Sequence, residues 1–113
     1  MHEMSLVEGV RELIEAAAAR EGFSRVKQVR VEIGQLSGVE REAFEFCFDL
    51  AMRGGIADGA RLEIIATPGR GRCLACGQEG TLALVYDPCE HCGVFPVEVI
   101  DGTAMRVIDL EVE

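Results

Sequence analysis

Residues 73–92 read CLACGQEGTLALVYDPCEHC, a stretch in which two C-x2-C knuckles stand twelve residues apart. Each knuckle can turn two thiolates toward one point, so the pair supplies the four sulfur ligands of a closed tetrahedral metal site. The predicted ligands are Cys73, Cys76, Cys89 and Cys92. Zinc is the metal that this arrangement favours, while mononuclear iron, two disulfides or a redox pair are alternatives that the spacing leaves open.

The cellular compartment bears on the choice between a metal and disulfides. The opening MHEMSLVEGVRELIEAAAAR has no basic leader before an apolar core, and the sequence has no uncharged apolar run of bilayer-spanning length. We therefore expect a cytoplasmic protein without a membrane partner. Thiols stay reduced in the cytosol, where paired knuckles bind metal more often than they form disulfides.

Charge narrows the choice of partner and function. The 113-residue chain has 11 basic and 20 acidic residues, for a formal charge of −9, and it shows no basic run. Contacts to phosphates need a basic face, so the composition argues against nucleic acid as a partner, although many four-cysteine ribbons bind it. An acidic surface suits cations and basic proteins instead.

Nucleophilic catalysis is poorly supported, because no serine or cysteine has a recognisable base partner and no phosphate-binding loop is present.

Two helices are predicted ahead of the knuckles. From Leu6 to Arg20 apolar residues recur at helical spacing, and Ser5 with Glu8 forms a capping box at the start. A second capping box, Ser37 with Glu40, predicts a helix that ends near residues 54–55. The apolar stripe predicted for the first helix comprises Leu6, Val10, Leu13, Ile14, Ala17 and Ala18. Cys47 lies on the stripe of the second helix, which predicts a small buried core residue.

Alternating apolar and polar residues predict strands at 29–33, 62–66 and 108–112. The apolar face of the last strand needs a sheet to cover it, so the simplest topology joins all three strands in one sheet. The composition changes after Pro68, and residues 69–102 have too few large apolar side chains to build a core alone. The sequence predicts an α+β fold: a two-helix, three-stranded domain of residues 1–68 and 103–113, with an inserted four-cysteine zinc ribbon of residues 69–102.

The amino terminus is a second candidate metal site. If the chain keeps Met1 as a free amine, this amine, the backbone nitrogen of His2 and its imidazole can close fused chelate rings in one plane, and Glu3 can complete a tetragonal set. Such nitrogen and oxygen donors suit Ni(II) or Cu(II) and suit zinc poorly. The carboxylate of Glu40 can approach this site if the two helices pack together. The alternatives are a frayed terminal histidine and a purely capping Glu40.

His91 is the chain's other histidine and lies within the second knuckle. It can replace a thiolate ligand in acid or tune the site by its charge. A solvated loop side chain is the interpretation that we favour.

The opening MHE-x-S, the stretches VEIGQLSGVE and AFEFCFDLA, and the C-x2-C-x12-C-x2-C spacing together resemble the HypA/HybF family, the nickel metallochaperones of NiFe-hydrogenase maturation. The resemblance implies a nickel-binding α/β domain with an inserted zinc ribbon. It maps the family's nickel-binding residues onto His2, Glu3 and Glu40, and its zinc ligands onto the four knuckle cysteines. Family members often have proline directly after the first cysteine of the second knuckle, where this chain has Glu90; we expect a change in the loop and not in the ligation.

The resemblance also implies a carrier and not an enzyme, with Zn2+ as a structural ion and Ni2+ as transient cargo. The implied partners are a nickel-handling GTPase and the hydrogenase large-subunit precursor, and some relatives also serve urease. A homodimer is left open. Two rival hypotheses are a zinc-ribbon protein-interaction module without a nickel role and a rubredoxin-like electron carrier.

Overall fold

The computed structural model describes residues 3–95 and 97–113, so His2 lies outside the described residues. Their secondary structure, in chain order, is α1 (Glu3–Glu21), β1 (Val26–Gly34), α2 (Arg41–Met52), β2 (Arg61–Thr67), β3 (Gly69–Cys73), β4 (Glu79–Leu82), β5 (Val97–Asp101) and β6 (Met105–Val112). The strands form two three-stranded sheets, ordered β2-β1-β6 and β4-β3-β5. The predicted α+β fold, with the last strand joined to the two early ones, is confirmed.

The chain divides into two compact units. The first contains the chain up to Val31, then Val39–Ile64 and Val107–Glu113; the second contains Glu32–Gly38 and Ile65–Arg106. This division passes through β1, β2 and β6, whereas the sequence places the domain boundaries at 68/69 and 102/103. The division into residues 1–68 with 103–113 and residues 69–102 remains a proposal.

The core of the first unit forms where α1 and α2 pack together. Phe44 and Phe48 on α2 are almost completely buried, and burial of such a side chain contributes about 1.5–3 kcal/mol. The α1 residues that are buried are Val7, Val10, Ile14, Ala17 and Ala18. Two details of the predicted helix are wrong: Leu13 is 48% exposed, and the chain is already helical at Glu3, so Ser5 lies within the helix and not at its cap.

Cys47 on α2 is only partly buried, so its predicted place among fully buried core residues is wrong. The helical periodicity gave the correct side of α2, since its neighbours in the stripe, Phe44 and Phe48, face the core. Cys47 itself stays partly exposed on the same helix.

The second unit is built on β3, which pairs antiparallel with β4 on one side and with β5 on the other. A buried cluster in this unit contains Cys73, Leu82, Cys89 and Val97, against which Leu36 and Val99 pack. Two of the four buried members are knuckle cysteines. Apolar burial here is small, as the composition of residues 69–102 predicts.

Glycines permit a close approach of backbone segments within the second unit. Gly34 donates its N–H to Ala104 O at 2.8 Å, and a Cβ added to Gly34 would overlap the carbonyl oxygen of Gly102. Gly102 in turn has φ +89°, a conformation that side chains disfavour. A methyl group at position 34 must therefore push two hydrogen-bonded backbone segments apart.

We expect Gly34→Ala to lower the free energy of unfolding by about 1–3 kcal/mol, the usual cost of overpacking. Gly9→Ala is the matched control, because a Cβ at Gly9 meets nothing within 4 Å. This control lies within α1 and should raise stability by about 0.5–1 kcal/mol. Urea denaturation followed by circular dichroism measures both effects, and equal stability of the two variants would contradict the steric argument.

Candidate metal centres

The two knuckles have the same backbone structure. In the first, Cys73 N–H donates to Gln78 O at 2.9 Å, and Gly77 N–H donates to Cys73 O at 2.9 Å. In the second, Cys89 pairs in the same way with Val94 and Gly93, at 2.9 and 2.8 Å. Both glycines have φ +76°, which a residue without a Cβ adopts at no steric cost. Each knuckle is therefore a preformed turn that presents two sulfur atoms on one side.

The sulfur atoms of the four predicted ligands lie within 4.8 Å of one another. The Sγ atoms of Cys73 and Cys92 are 3.6 Å apart, and those of Cys76 and Cys89 are 3.8 Å apart. A tetrahedral zinc with Zn–S bonds of about 2.3 Å sets its sulfur atoms about 3.8 Å apart. The cluster therefore fits a tetrahedral thiolate-bound ion, and the same geometry suits iron.

The first cysteine of each knuckle is buried and is prepared to ionise. The N–H of Cys76 points at the sulfur of Cys73 at 3.4 Å and is the main cause that lowers the Cys73 pKa to about 6, against the opposing effect of burial. The pKa of Cys89 is lowered chiefly by the N–H of Cys92, also at 3.4 Å, with a further bond from His91 N–H. These sulfur atoms favour the thiolate form that binds metal.

The second cysteine of each knuckle is exposed and holds its proton more tightly. The N–H of Gln78 lowers the pKa of Cys76, but three effects together outweigh it and raise the pKa: partial burial of the sulfur, the neighbouring Cys73 sulfur and the neighbouring Cys89 sulfur. The N–H of Val94 acts likewise on Cys92, yet the neighbouring Cys73 sulfur and burial raise the Cys92 pKa to about 12. A metal that binds all four sulfur atoms must displace these protons.

Two residues inside the second knuckle contact β4. Glu90 accepts hydrogen bonds from Thr81 N–H at 3.2 Å and from the Thr81 hydroxyl at 3.0 Å, and these bonds are the main causes that lower the Glu90 pKa. His91 Nε2 lies 3.1 Å from Glu79 O, to which it donates when that nitrogen is protonated. The predicted solvated side chain at His91 is therefore only partly correct. No pattern in the sequence around Glu90 predicts its contact with Thr81.

At the other candidate site, Glu3 and Glu40 are brought together. The backbone N–H of Glu40 donates to Glu3 Oε2 at 3.2 Å. Glu40 is the N-cap of α2, and its carboxylate accepts from the N–H groups of Glu42 and Ala43. The predicted capping box, with Ser37 as the cap and Glu40 as its partner three residues on, is therefore wrong: Glu40 caps the helix itself.

Among the described residues, no helix combines the length and the apolarity that crossing a bilayer requires.

The fold and the cysteine cluster define a class: small α+β proteins in which a four-thiolate metal ribbon accompanies a two-helix domain. A family model described as "Hydrogenase/urease nickel incorporation, metallochaperone, hypA" matches residues 1–112. The chain belongs to this HypA family.

Relatives and solved structures agree with this assignment. The chain is 53% identical to the hydrogenase maturation factor HypA of Albidiferax ferrireducens and 51% identical to that of Dechloromonas aromatica, in each case over 100% of both chains. The solution structure of the Ni metallochaperone HypA from Helicobacter pylori matches with a TM-score of 0.71 at 28% identity, covering 99% of this chain and 97% of that one.

Proposed function

We propose that this chain is a nickel metallochaperone that binds Ni(II) through His2, Glu3 and Glu40 and delivers it for maturation of NiFe-hydrogenase. Urease is a second candidate client, in line with the wording of the family description. The match of that family over residues 1–112 is the observation that carries the proposal. The hydrogen bond between Glu40 N–H and the Glu3 carboxylate supports it, because it holds two of the proposed residues side by side.

The donor groups of the amino terminus suit a metal ion that is bound transiently. An amine at Met1 and the nitrogen atoms of His2 are donors that Ni(II) prefers in a square-planar arrangement. Three groups must give up or keep off a proton to bind: the amine and the imidazole, with unperturbed pKa values of about 7.7–8 and about 6.5, and the backbone N–H of His2, whose proton the metal itself displaces. Nickel affinity should therefore rise with pH and fall steeply as the pH drops through the values of the amine and the imidazole, so acid favours release.

We assign zinc, as a structural ion, to Cys73, Cys76, Cys89 and Cys92. The sulfur separations of 3.6 and 3.8 Å support this assignment. Four thiolates fill a tetrahedral zinc site and leave no position for a substrate or for exchangeable cargo. The zinc therefore stabilises the ribbon, while the transient metal binds at the terminus.

The proposed partners are proteins. A carrier must receive nickel and pass it on, so we infer contacts with a nickel-handling GTPase and with the hydrogenase large-subunit precursor. The formal charge of −9 suits basic protein surfaces and not nucleic acid. We propose no catalytic residue, and the free thiols of the cysteine cluster suit a reducing compartment such as the cytoplasm.

Replacement of Glu40 tests whether this residue binds nickel in addition to capping α2. Glu40→Ala should weaken nickel binding by at least about tenfold and destabilise the fold by about 1 kcal/mol, because it removes a proposed donor and the acceptor of two N–H groups. Nickel titration calorimetry and urea denaturation on untagged protein give the two numbers separately.

Glu42→Ala is the control, since Glu42 is an exposed acidic residue in the first turn of the same helix. It removes an equal charge and should leave nickel affinity within about twofold of wild type, with a stability loss of only about 0.3–1 kcal/mol. Equal nickel affinities of the two variants would assign Glu40 to the cap alone.

A further inference from the structure

The strand β4 lies at the edge of its sheet, which the described residues form in the order β4-β3-β5. Thr81 stands opposite Arg70 of β3 in the register of this sheet. Its N–H donates to Glu90 Oε1 at 3.2 Å and its hydroxyl to Glu90 Oε2 at 3.0 Å. One carboxylate thus binds two donors of a single residue on the edge strand.

The Glu90 side chain occupies the space in which a side chain of residue 80 would lie. A Cβ added to Gly80 would lie 2.5 Å from Glu90 Oε1 and 2.9 Å from both its Cδ and its Cγ. A larger residue at position 80 must therefore move the Glu90 carboxylate, whose Oε1 accepts from Thr81 N–H. Because Gly80 has no side chain, the Glu90 carboxylate can reach Thr81.

These contacts join the two knuckles without using the metal. Glu90 lies between the second pair of cysteines, and β4 begins three residues after the first pair. His91 adds a contact to the same strand, with its Nε2 3.1 Å from Glu79 O. The second knuckle is therefore bound to the strand that leaves the first.

Such a connection bears on how fast a metal leaves. Four thiolates around one ion release it only if the knuckles separate or a thiolate swings out. Separation of the knuckles must break the two bonds to Glu90, and a hydrogen bond to a charged group is roughly twice as strong as a neutral one. Groups that hold the ligands of a metal in place typically change metal affinity 10–100-fold when they are removed.

We propose that Glu90 is a positioning residue of the four-thiolate site: bound to Thr81 across Gly80, it fastens the second knuckle to β4 and slows the loss of zinc. This inference rests on the proposed zinc site.

The test measures how fast the zinc-loaded, full-length chain loses its metal to an excess of a chromogenic chelator. Glu90→Ala should release zinc about tenfold faster than wild type. Glu90→Gln should be intermediate, because its amide oxygen still accepts a bond from Thr81. Glu98→Gln, at an exposed carboxylate on β5, should release zinc at the wild-type rate.

A second variant keeps the proposal testable if Glu90→Ala folds poorly. Gly80→Ala leaves Glu90 chemically intact but displaces it, and should reproduce the faster release. The double variant Gly80→Ala/Glu90→Ala should then be no faster than the faster single variant, since both changes remove one interaction. Independent structural damage would instead make the two effects multiply. The Co(II)-substituted single variants should keep the absorption bands of a four-thiolate site.

Zinc release from Glu90→Ala at the wild-type rate, or multiplied effects in the double variant, would overturn the inference and leave the zinc assignment intact. A wild-type chain that binds no zinc at the four cysteines would overturn both. The positioning role is supported if both single variants release zinc faster, if the double variant is no faster than the faster of them, and if the cobalt absorption bands are unchanged.

Discussion

Nickel binding is expected to disappear when His2 is replaced by alanine or when extra residues precede Met1, while zinc content stays at one ion per chain. The terminal amine, the backbone nitrogen of His2 and one ring nitrogen of His2 are the proposed in-plane donors, and each change removes or blocks at least one of them. An amide in place of the amine does not bind Ni(II) in the same way, because it has no free lone pair of comparable basicity. A loss of at least about a hundredfold, or about 2.8 kcal/mol, is expected.

The measurement is a Ni(II) titration of untagged protein with parallel zinc analysis. His91→Ala is the matched control, since the chain has two histidines and His91 lies in the ribbon. This control should bind nickel like wild type. Undiminished nickel affinity in both the His2→Ala and the extended chains would remove the terminus from the proposal and favour the zinc-ribbon interaction module.

The outcome also separates the two candidate metals. His2 lies far along the chain from the cysteines, and the Glu3–Glu40 contact belongs to the first unit, whereas the sulfur cluster belongs to the second. Loss of nickel with retention of zinc would assign one metal to each unit.

The cysteine cluster could be predicted from the sequence because a C-x2-C knuckle is a local structure. Its backbone hydrogen bonds join Cys73 to Gly77 and Gln78, which are at most five residues away. The spacing alone therefore determines where the sulfur atoms point. The strands β1, β2 and β6 were predictable for a similar reason, since a sheet with one buried face requires alternation at every second residue, whereas β3, β4 and β5 in the ribbon were not predicted.

The hydrogen bonds between residues distant in sequence could not be predicted in detail, although the pairing of the last strand and the approach of Glu40 to the amino-terminal site were expected. The pattern of Ser37 followed by Glu40 satisfies the rule for a capping box, yet in the structure Glu40 is the N-cap of α2 and its own N–H contacts Glu3 on α1. That contact depends on the packing of two helices, which no local rule describes. Likewise, nothing in a window around Glu90 indicates that it binds Thr81, nine residues earlier on the edge of a sheet.

Zinc removal is expected to unfold the ribbon and leave the helices folded. Of the described residues, four form the buried cluster of the second unit, and two of these, Cys73 and Cys89, are proposed zinc ligands. Without the ion these sulfur atoms lose the interaction that brings the knuckles together, and in small zinc modules the binding free energy, about 10–16 kcal/mol, is the folding free energy. The first unit has its own core around Phe44 and Phe48, which contains none of the four knuckle cysteines.

Hydrogen exchange of the zinc-loaded and chelator-treated chains should resolve this difference, with far-UV circular dichroism to follow α1 and α2. The N–H groups of Gly77 and Gly93, bonded inside the knuckles, should lose protection, whereas those in the middle of α1 should keep it. Cys89→Ser should mimic zinc removal, while Cys47→Ser, on α2 outside the cluster, should retain both zinc and protection.

Protected knuckles in the metal-free chain would mean that the ribbon is held by its apolar contacts and by Glu90, and that zinc adds to a fold that already exists. Selective loss of protection would instead show that the ribbon forms only around its metal.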